Sequence, residues 1–264
     1  MITKRSAALE YLAAENLTAT HGFTTRLGGV STGFLSSLNL GMHRGDAPAN
    51  VAENYRRLAE ALEFDLSRLV LTWQTHSDVV RQVTAADANG LDHRNYPQCD
   101  ALITNDPGTA LFVFTADCTP ILLQDPVTGA VGAIHAGWRG TAAGIAAKTV
   151  QAMVAAYGCR PENIRAAIGP NIGQCCFETD QDVPQAMIQA LGDQALPHIR
   201  QEGHKYYVNL KAINALWLRQ EGVSHITLAP YCTACRQDLF WSHRKVGNAR
   251  GSQGAIIVCK EVSP

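Results

Sequence analysis

The sequence predicts a layered α/β sandwich of the α+β class, with mixed β-sheets in a single domain over residues 1–264. Three observations predict it. Short apolar or β-branched runs bounded by turn residues alternate with segments of helical periodicity. Several of those runs are apolar at every position, which marks strands covered on both faces by other layers. No Pro/Gly/Ser-rich linker, charge block or fixed-period repeat divides the chain. With 46% hydrophobic and 17% charged residues, it carries enough apolar surface to bury a full core.

The elements follow in order. Asn50 with Glu53 resembles a capping pair ahead of a helix over residues 51–63, where Val51, Tyr55, Leu58 and Leu62 recur at spacings of three and four. Strands are predicted at Val79–Val83, Ala101–Thr104, Ala110–Thr115 and Ala130–His135. A helix is predicted from Thr141 to Tyr157, with the stripe Ile145, Thr149, Met153 and Tyr157, a stop at Gly158 and Pro161 just beyond. Then come a strand at Ile164–Ile168, a helix at Asp182–Leu191 stopped by Gly192, and a helix at Leu210–Glu221 capped by Asn209 and stopped by Gly222. Strands at Ile226–Leu228 and Ala255–Val258 complete the set.

Twenty-two Lys+Arg against 23 Asp+Glu give a net charge of −1 and a pI near 6.7. No whole-molecule field recruits nucleic acid or an acidic membrane, so a small molecule is the expected partner. Glu10 and Glu15 interrupt any apolar stretch of signal-peptide type, and Asp117 interrupts the most apolar region, Ala110 to Leu123. A soluble, cytoplasmic protein is expected, with its eight cysteines reduced and free to serve as ligands or nucleophiles.

Chemistry-bearing residues cluster in two places. His76 in WQTHSDVV, Cys118 in FTADCTPILL and His135 in GAIHAGWRG offer a thiolate and two imidazoles, a donor set suited to zinc or copper. Three protein ligands leave a fourth position for water or substrate. The same residues also fit a thiol nucleophile, Cys118, with His135 or His76 as base and Asp117 as an orienting or turn residue. Equally, they fit a buried thiol beside two hydrogen-bonded histidines. The second cluster, residues 21–46, is rich in glycine and contains His21, Arg26, Gly28, Gly29, Ser31, Ser37, Asn39, His43, Arg44 and Asp46. Glycine backbone N–H groups and Arg forks suit phosphate or ribose. An irregular surface loop is the plain alternative. No P-loop or dinucleotide fingerprint occurs. Arg139 and Trp138, after His135 and before the long helix, suit an anion and a flat base, or else solvent and core.

Cys232 and Cys235 form a single CxxC with no second pair at ribbon spacing, so a packed segment near the active site is expected. Cys175 and Cys176 are adjacent, where a bridge would strain the backbone, and are expected to be free thiols.

Together HGFTTRLGGVSTG, SLNLG, QTHSDVV, DALIT, ADCTPILL, HAGWRGT, IGPNIGQCCFE and the CxxC stretch ending in FWSHRK resemble the laccase-domain family, from about His21 to Cys259. That family was historically labelled multicopper polyphenol oxidase and is now described as purine nucleoside phosphorylases and adenosine-processing enzymes. The resemblance implies a layered α+β sandwich and one metal, usually zinc, on His76, Cys118 and His135. It also implies phosphorolysis of adenosine, inosine, guanosine and methylthioadenosine, deamination of adenosine and, in some members, peptidoglycan editing. The family's FFSxRR stretch is here Phe240, Trp241, Ser242, His243 and Arg244, so contacts there differ in detail.

A multicopper oxidase needs clustered pairs of imidazoles, and none of the nine histidines forms a His-x-His pair. Polyphenol oxidation on adventitious Cu²⁺ is therefore at most a side reaction. A single open Zn²⁺ suits nucleoside chemistry better. In deamination it would lower the pKa of bound water to about 7. No H-x-E supplies the accompanying carboxylate, which leaves Asp78 and Asp117 as weak candidates. In phosphorolysis, inorganic phosphate attacks the anomeric carbon as the purine departs. Arg26, Arg44 and Arg139 are the phosphate candidates and Asn39 the ribose or base candidate. A Cys118-dependent hydrolase or amidase without metal is the rival.

Overall fold

The computed structural model describes residues 1–6 and 8–261. In chain order the strands are β1 (Ile2–Ser6), β2 (Leu9–Ala13), β3 (His21–Thr24), β4 (Leu69–Leu71), β5 (Val80–Gln82), β6 (Ala101–Thr104), β7 (Ala110–Thr115) and β8 (Thr119–Gln124). They continue with β9 (Val131–Ala136), β10 (Arg165–Ile168), β11 (Glu178–Thr179), β12 (Ile199–Glu202), β13 (Lys205–Val208), β14 (His225–Leu228) and β15 (Gln253–Val258). The helices are α1 (Pro48–Leu62), α2 (Trp138–Ala142), α3 (Ile145–Tyr157), α4 (Asp182–Leu191), α5 (Leu210–Gln220) and α6 (His243–Val246).

Two six-stranded sheets form the centre, ordered β1-β2-β3-β15-β7-β4 and β14-β10-β8-β9-β6-β5, with a small sheet β11-β13-β12 beside them. Both large sheets are mixed. β4 runs parallel to β7, β5 to β6 and β10 to β14, while the remaining pairs are antiparallel.

Alternation in the second sheet explains why its strands read as continuous apolar runs. Leu102, Leu122, Val131 and Ala133 join the core shared with the first sheet and α1. Their neighbours Ile103, Ile121, Leu123 and Ile134 join a second core with Ile145, Val150 and Met153 of α3 and Ala215 and Leu218 of α5. Side chains that alternate across a strand thus find apolar partners in both directions. On the other side of the molecule Tyr55 of α1 packs its ring against Phe112 of β7, 5.7 Å between centroids. The layers run α1, first sheet, second sheet, α3 with α5.

Two helix expectations are corrected. Asn50 does not cap α1: the helix starts at Pro48 with Ala47 before it, and Asp46 accepts the Ala47 N–H and the Asn50 side-chain N–H. Proline's fixed φ and missing N–H suit that first position. The expected helix over 141–157 is two, because Gly144 takes φ +74° and breaks the ladder between α2 and α3. The helices at 182–191 and from Leu210 form as expected, the latter with the Asn209 side chain accepting from the Ala212 N–H. Among the described residues no helix is long and apolar enough to cross a membrane.

Candidate functional site

The chain passes from the first large sheet to the second between β4 and β5, and again between β7 and β8. His76 lies on the first crossing and Cys118 on the second. His135 lies on β9, in register with Pro120 of the neighbouring β8. His76 Nε2 is 3.7 Å from Cys118 Sγ, and the ligand atoms of His76, Cys118 and His135 all lie within 4.8 Å of one another. The two imidazole rings meet edge to face, centroids 5.0 Å apart.

Backbone strain is concentrated here. His76 and Asp117 have φ of 61° and 91°, left-handed conformations that cost a side-chain-bearing residue about 1–3 kcal/mol. Named bonds hold both. Asp100, fully buried ahead of β6, accepts the backbone N–H groups of Thr75, His76 and Ser77 and the Ser77 hydroxyl. The same carboxylate accepts from His135 Nδ1 at 2.7 Å, which turns Nε2 of that ring toward Cys118. Asp117 accepts from the Thr233 hydroxyl at 2.6 Å, the Ser242 hydroxyl and the Arg244 N–H.

Burial alone would raise the Asp100 carboxyl, but His135 and Ser77 outweigh it and hold the group well below its usual range. Burial likewise opposes charge on Cys118 and His135. Their mutual attraction, with Asp100 behind the imidazole and His76 beside the sulfur, draws the thiol down and the imidazole up. A half-buried thiolate flanked by two imidazoles, one oriented by a buried carboxylate, is a donor set that fits zinc or copper.

A cavity of about 270 Å³ opens over these side chains. Besides His76, Cys118 and His135 it is lined by Arg44, Arg94 and Arg250, by His43 and His93, and by Gln74 and Phe114. Burial and the charge of Arg44 lower Arg250 to about 10. Two guanidinium groups crowded together in this way favour an anion between them. Among the described lining residues there is no Asp or Glu.

Of the four residues expected to bind substrate, only Arg44 lines this cavity. Arg26 stacks over Trp241 at 3.7 Å and donates to the carbonyls of Ser36 and Gln237. Asn39 is fully buried, spending its side chain on Gly41, Asp46 and the Ser252 N–H. Arg139 lies over its neighbour Trp138. Asp78 pairs with Lys148, and Asp117 is spent as above. Sequence reasoning missed Asp100, although the DALIT motif places a carboxylate directly before a buried strand. It also missed Arg94, Arg250 and His93, whose motifs carry no spacing signal.

Two donors on sheet crossings and a third on β9, beside an arginine-lined cavity, make this a mixed α/β sandwich with a candidate metal centre at the seam of its sheets. The sequence model of the family described as multi-copper polyphenol oxidoreductase laccase matches residues 20–260, and the chain belongs to that family. It is 40% identical over 249 residues to the purine nucleoside phosphorylase YlmD of Geobacillus stearothermophilus, covering 92% of this chain and 91% of that one. A purine nucleoside phosphorylase of Deinococcus radiodurans is 40% identical over 250 residues, with coverage of 94% and 92%. The crystal structure of YlmD from Geobacillus stearothermophilus superposes with a TM-score of 0.92 at 37% identity over 98% of both chains.

Proposed function

We infer that this chain is a purine nucleoside phosphorylase, with a zinc ion on His76, Cys118 and His135 and inorganic phosphate as co-substrate. The observation that carries this reading is one cavity that joins the three-donor set to Arg44, Arg94 and Arg250. Relatives called purine nucleoside phosphorylases support it. A bound zinc would act as a Lewis acid on an oxygen or nitrogen of the reactants.

The chain's own residues do the rest. The arginines hold phosphate as its oxygen attacks the anomeric carbon; the C–N bond to the purine breaks and its electron pair leaves with the base. Phe114, half-buried in the cavity wall, offers a face for the base. His43, hydrogen-bonded to Asp92 at 2.7 Å, is placed to give the departing purine a proton. Adenosine, inosine, guanosine and methylthioadenosine are the expected substrates. Deamination of adenosine is the weaker activity, because the described lining residues include imidazoles but no carboxylate to shuttle the proton.

One observation favours a second reading. Cys118, His135 and Asp100 also stand in the order of nucleophile, base and orienting carboxylate, as in a metal-free thiol hydrolase or amidase. Purified protein incubated with adenosine, with and without phosphate, is expected to give phosphate-dependent adenine that chelation abolishes and Zn²⁺ restores. Phosphate-independent inosine would assign deamination. Activity indifferent to stripping would transfer the site to the thiol reading.

A further inference from the structure

Away from the cavity the described chain gathers four more thiols. Cys175 and Cys176 follow β10, and Cys232 and Cys235 follow β14. These strands are parallel neighbours, so both following segments leave the same edge of the sheet, where Asn171 pairs with Cys232. The absence of a second cysteine pair, expected from spacing along the chain, is thereby corrected. The adjacent cysteines are that pair, brought in by the parallel register.

All four sulfurs lie within 4.8 Å of one another, with Cys235 Sγ 3.4 Å from Cys176 Sγ and 3.7 Å from Cys175 Sγ. Sulfurs around a tetrahedral zinc, at about 2.3 Å from the ion, stand about 3.8 Å apart. Sulfurs in a disulfide stand about 2.05 Å apart. The spacing matches a shared ion.

The surroundings suit the charge of such a site. The Gly173 N–H donates to Cys232 Sγ at 3.1 Å. A Cβ on Gly173 would stand 3.1 Å from Cys232 Cβ and 3.2 Å from Cys175 Sγ, so the cluster closes over a backbone that has no side chain to spare room for. Lys211, half-buried and donating to the Tyr231 carbonyl, sets an ammonium within electrostatic reach of Cys232 and Cys175.

We propose that Cys175, Cys176, Cys232 and Cys235 form a second metal site, a tetrathiolate for zinc that is separate from His76, Cys118 and His135. Each ligating thiol gives its proton to solvent, so four thiolates and one divalent ion carry a net charge of −2. With four protein ligands the site is closed and does not react. It fastens the segments after β10 and β14, and through Thr233 it braces Asp117, whose next residue is Cys118. Arg244, donating to the Cys176 carbonyl, ties α6 to the same cluster.

The test weighs the whole protein by native mass spectrometry after reduction under anaerobic conditions, equilibration with Zn²⁺ and desalting. Two zinc ions per chain are expected in the wild type, and one in both the Cys175→Ser/Cys235→Ser and the His76→Ala/His135→Ala variants. Cobalt loaded into His76→Ala/His135→Ala is expected to show the intense sulfur-to-metal charge-transfer band of several thiolates. That band needs no cysteine variant to fold. A single zinc in the wild type that disappears in His76→Ala/His135→Ala overturns the proposal. So does a cobalt-loaded protein without the band.

Discussion

Asp100 spends both oxygens on the candidate centre, accepting three backbone N–H groups of the His76 turn and the Nδ1–H of His135. Asparagine at this position keeps the shape but replaces one acceptor oxygen with a donor. Asp100→Asn is therefore expected to weaken zinc binding at His76, Cys118 and His135 by about 10–100-fold, the usual cost of losing a partner behind a ligating histidine. Competition with a chromophoric chelator measures it, and an unchanged affinity would refute the role. Asp46 makes a second prediction. Burial would raise its carboxyl, but Asn39, Ser31, Asn50 and the Ala47 N–H together hold it below the ordinary value. A carboxylate lowered on folding stabilises above its unfolded pKa of about 4, and that contribution fades as pH falls through the lower folded value. Urea unfolding of wild type and Asp46→Asn is expected to differ near neutral pH and to converge as pH falls below the lowered folded value; a gap that persists in acid would assign the loss to something other than charge. Residue types single out His76, Cys118 and His135 in the sequence, and the structure brings them together, but thiol and imidazole also suit a thiol nucleophile or a buried hydrogen-bonded trio, so the metal reading comes from the family resemblance. Asn39 and Arg26 stand outside the cavity lining because the same groups that bind phosphate or ribose also satisfy carbonyls and N–H groups of the fold.

At the scale of elements, burial pattern was the readable signal and local chemistry the deceptive one. The runs at 101–104 and 110–115 form strands with those bounds, since nothing but a doubly covered strand explains them. β8 went unrecognised because Pro120 stands second in it, and proline ordinarily argues against a central strand. β1 to β3 alternate or mix polar groups and end in turns, so their pairing depends on partners far along the chain, β15 among them. The junction of β9 with α2 carries a prediction. Gly137 has φ −68°, open to any residue, yet a Cβ there would stand 2.5 Å from the His76 ring and 3.4 Å from Cys118 Sγ. Gly137→Ala is thus expected to push His76 off its position, cutting zinc occupancy and kcat/KM by about tenfold or more. Such a displacement corresponds to about 1.4 kcal/mol at the site. Stability should change by less than about 1 kcal/mol, because the backbone tolerates alanine. A variant with wild-type metal content would show that the His76 ring moves aside freely.

The whole molecule places its candidate centre where the two sheets exchange chain. His76 and Cys118 each follow a strand of the first sheet and precede one of the second, while His135 belongs to the second and Arg250 lies just before β15 of the first. An ion held there clamps the sandwich at its seam, and unfolding must release it. Binding to the folded state alone adds about 2.7 kcal/mol when free zinc is a hundredfold above the dissociation constant. For a chain of this size each kcal/mol raises Tm by roughly 2–4 °C. Scanning calorimetry is therefore expected to show zinc raising the Tm of the wild type by roughly 5–10 °C more than that of His76→Ala/His135→Ala, in which only other sites respond. Equal shifts in the two proteins would mean that no ion bridges the sheets. The crossings would then have their strained turns at His76 and Asp117 for some purpose other than metal binding.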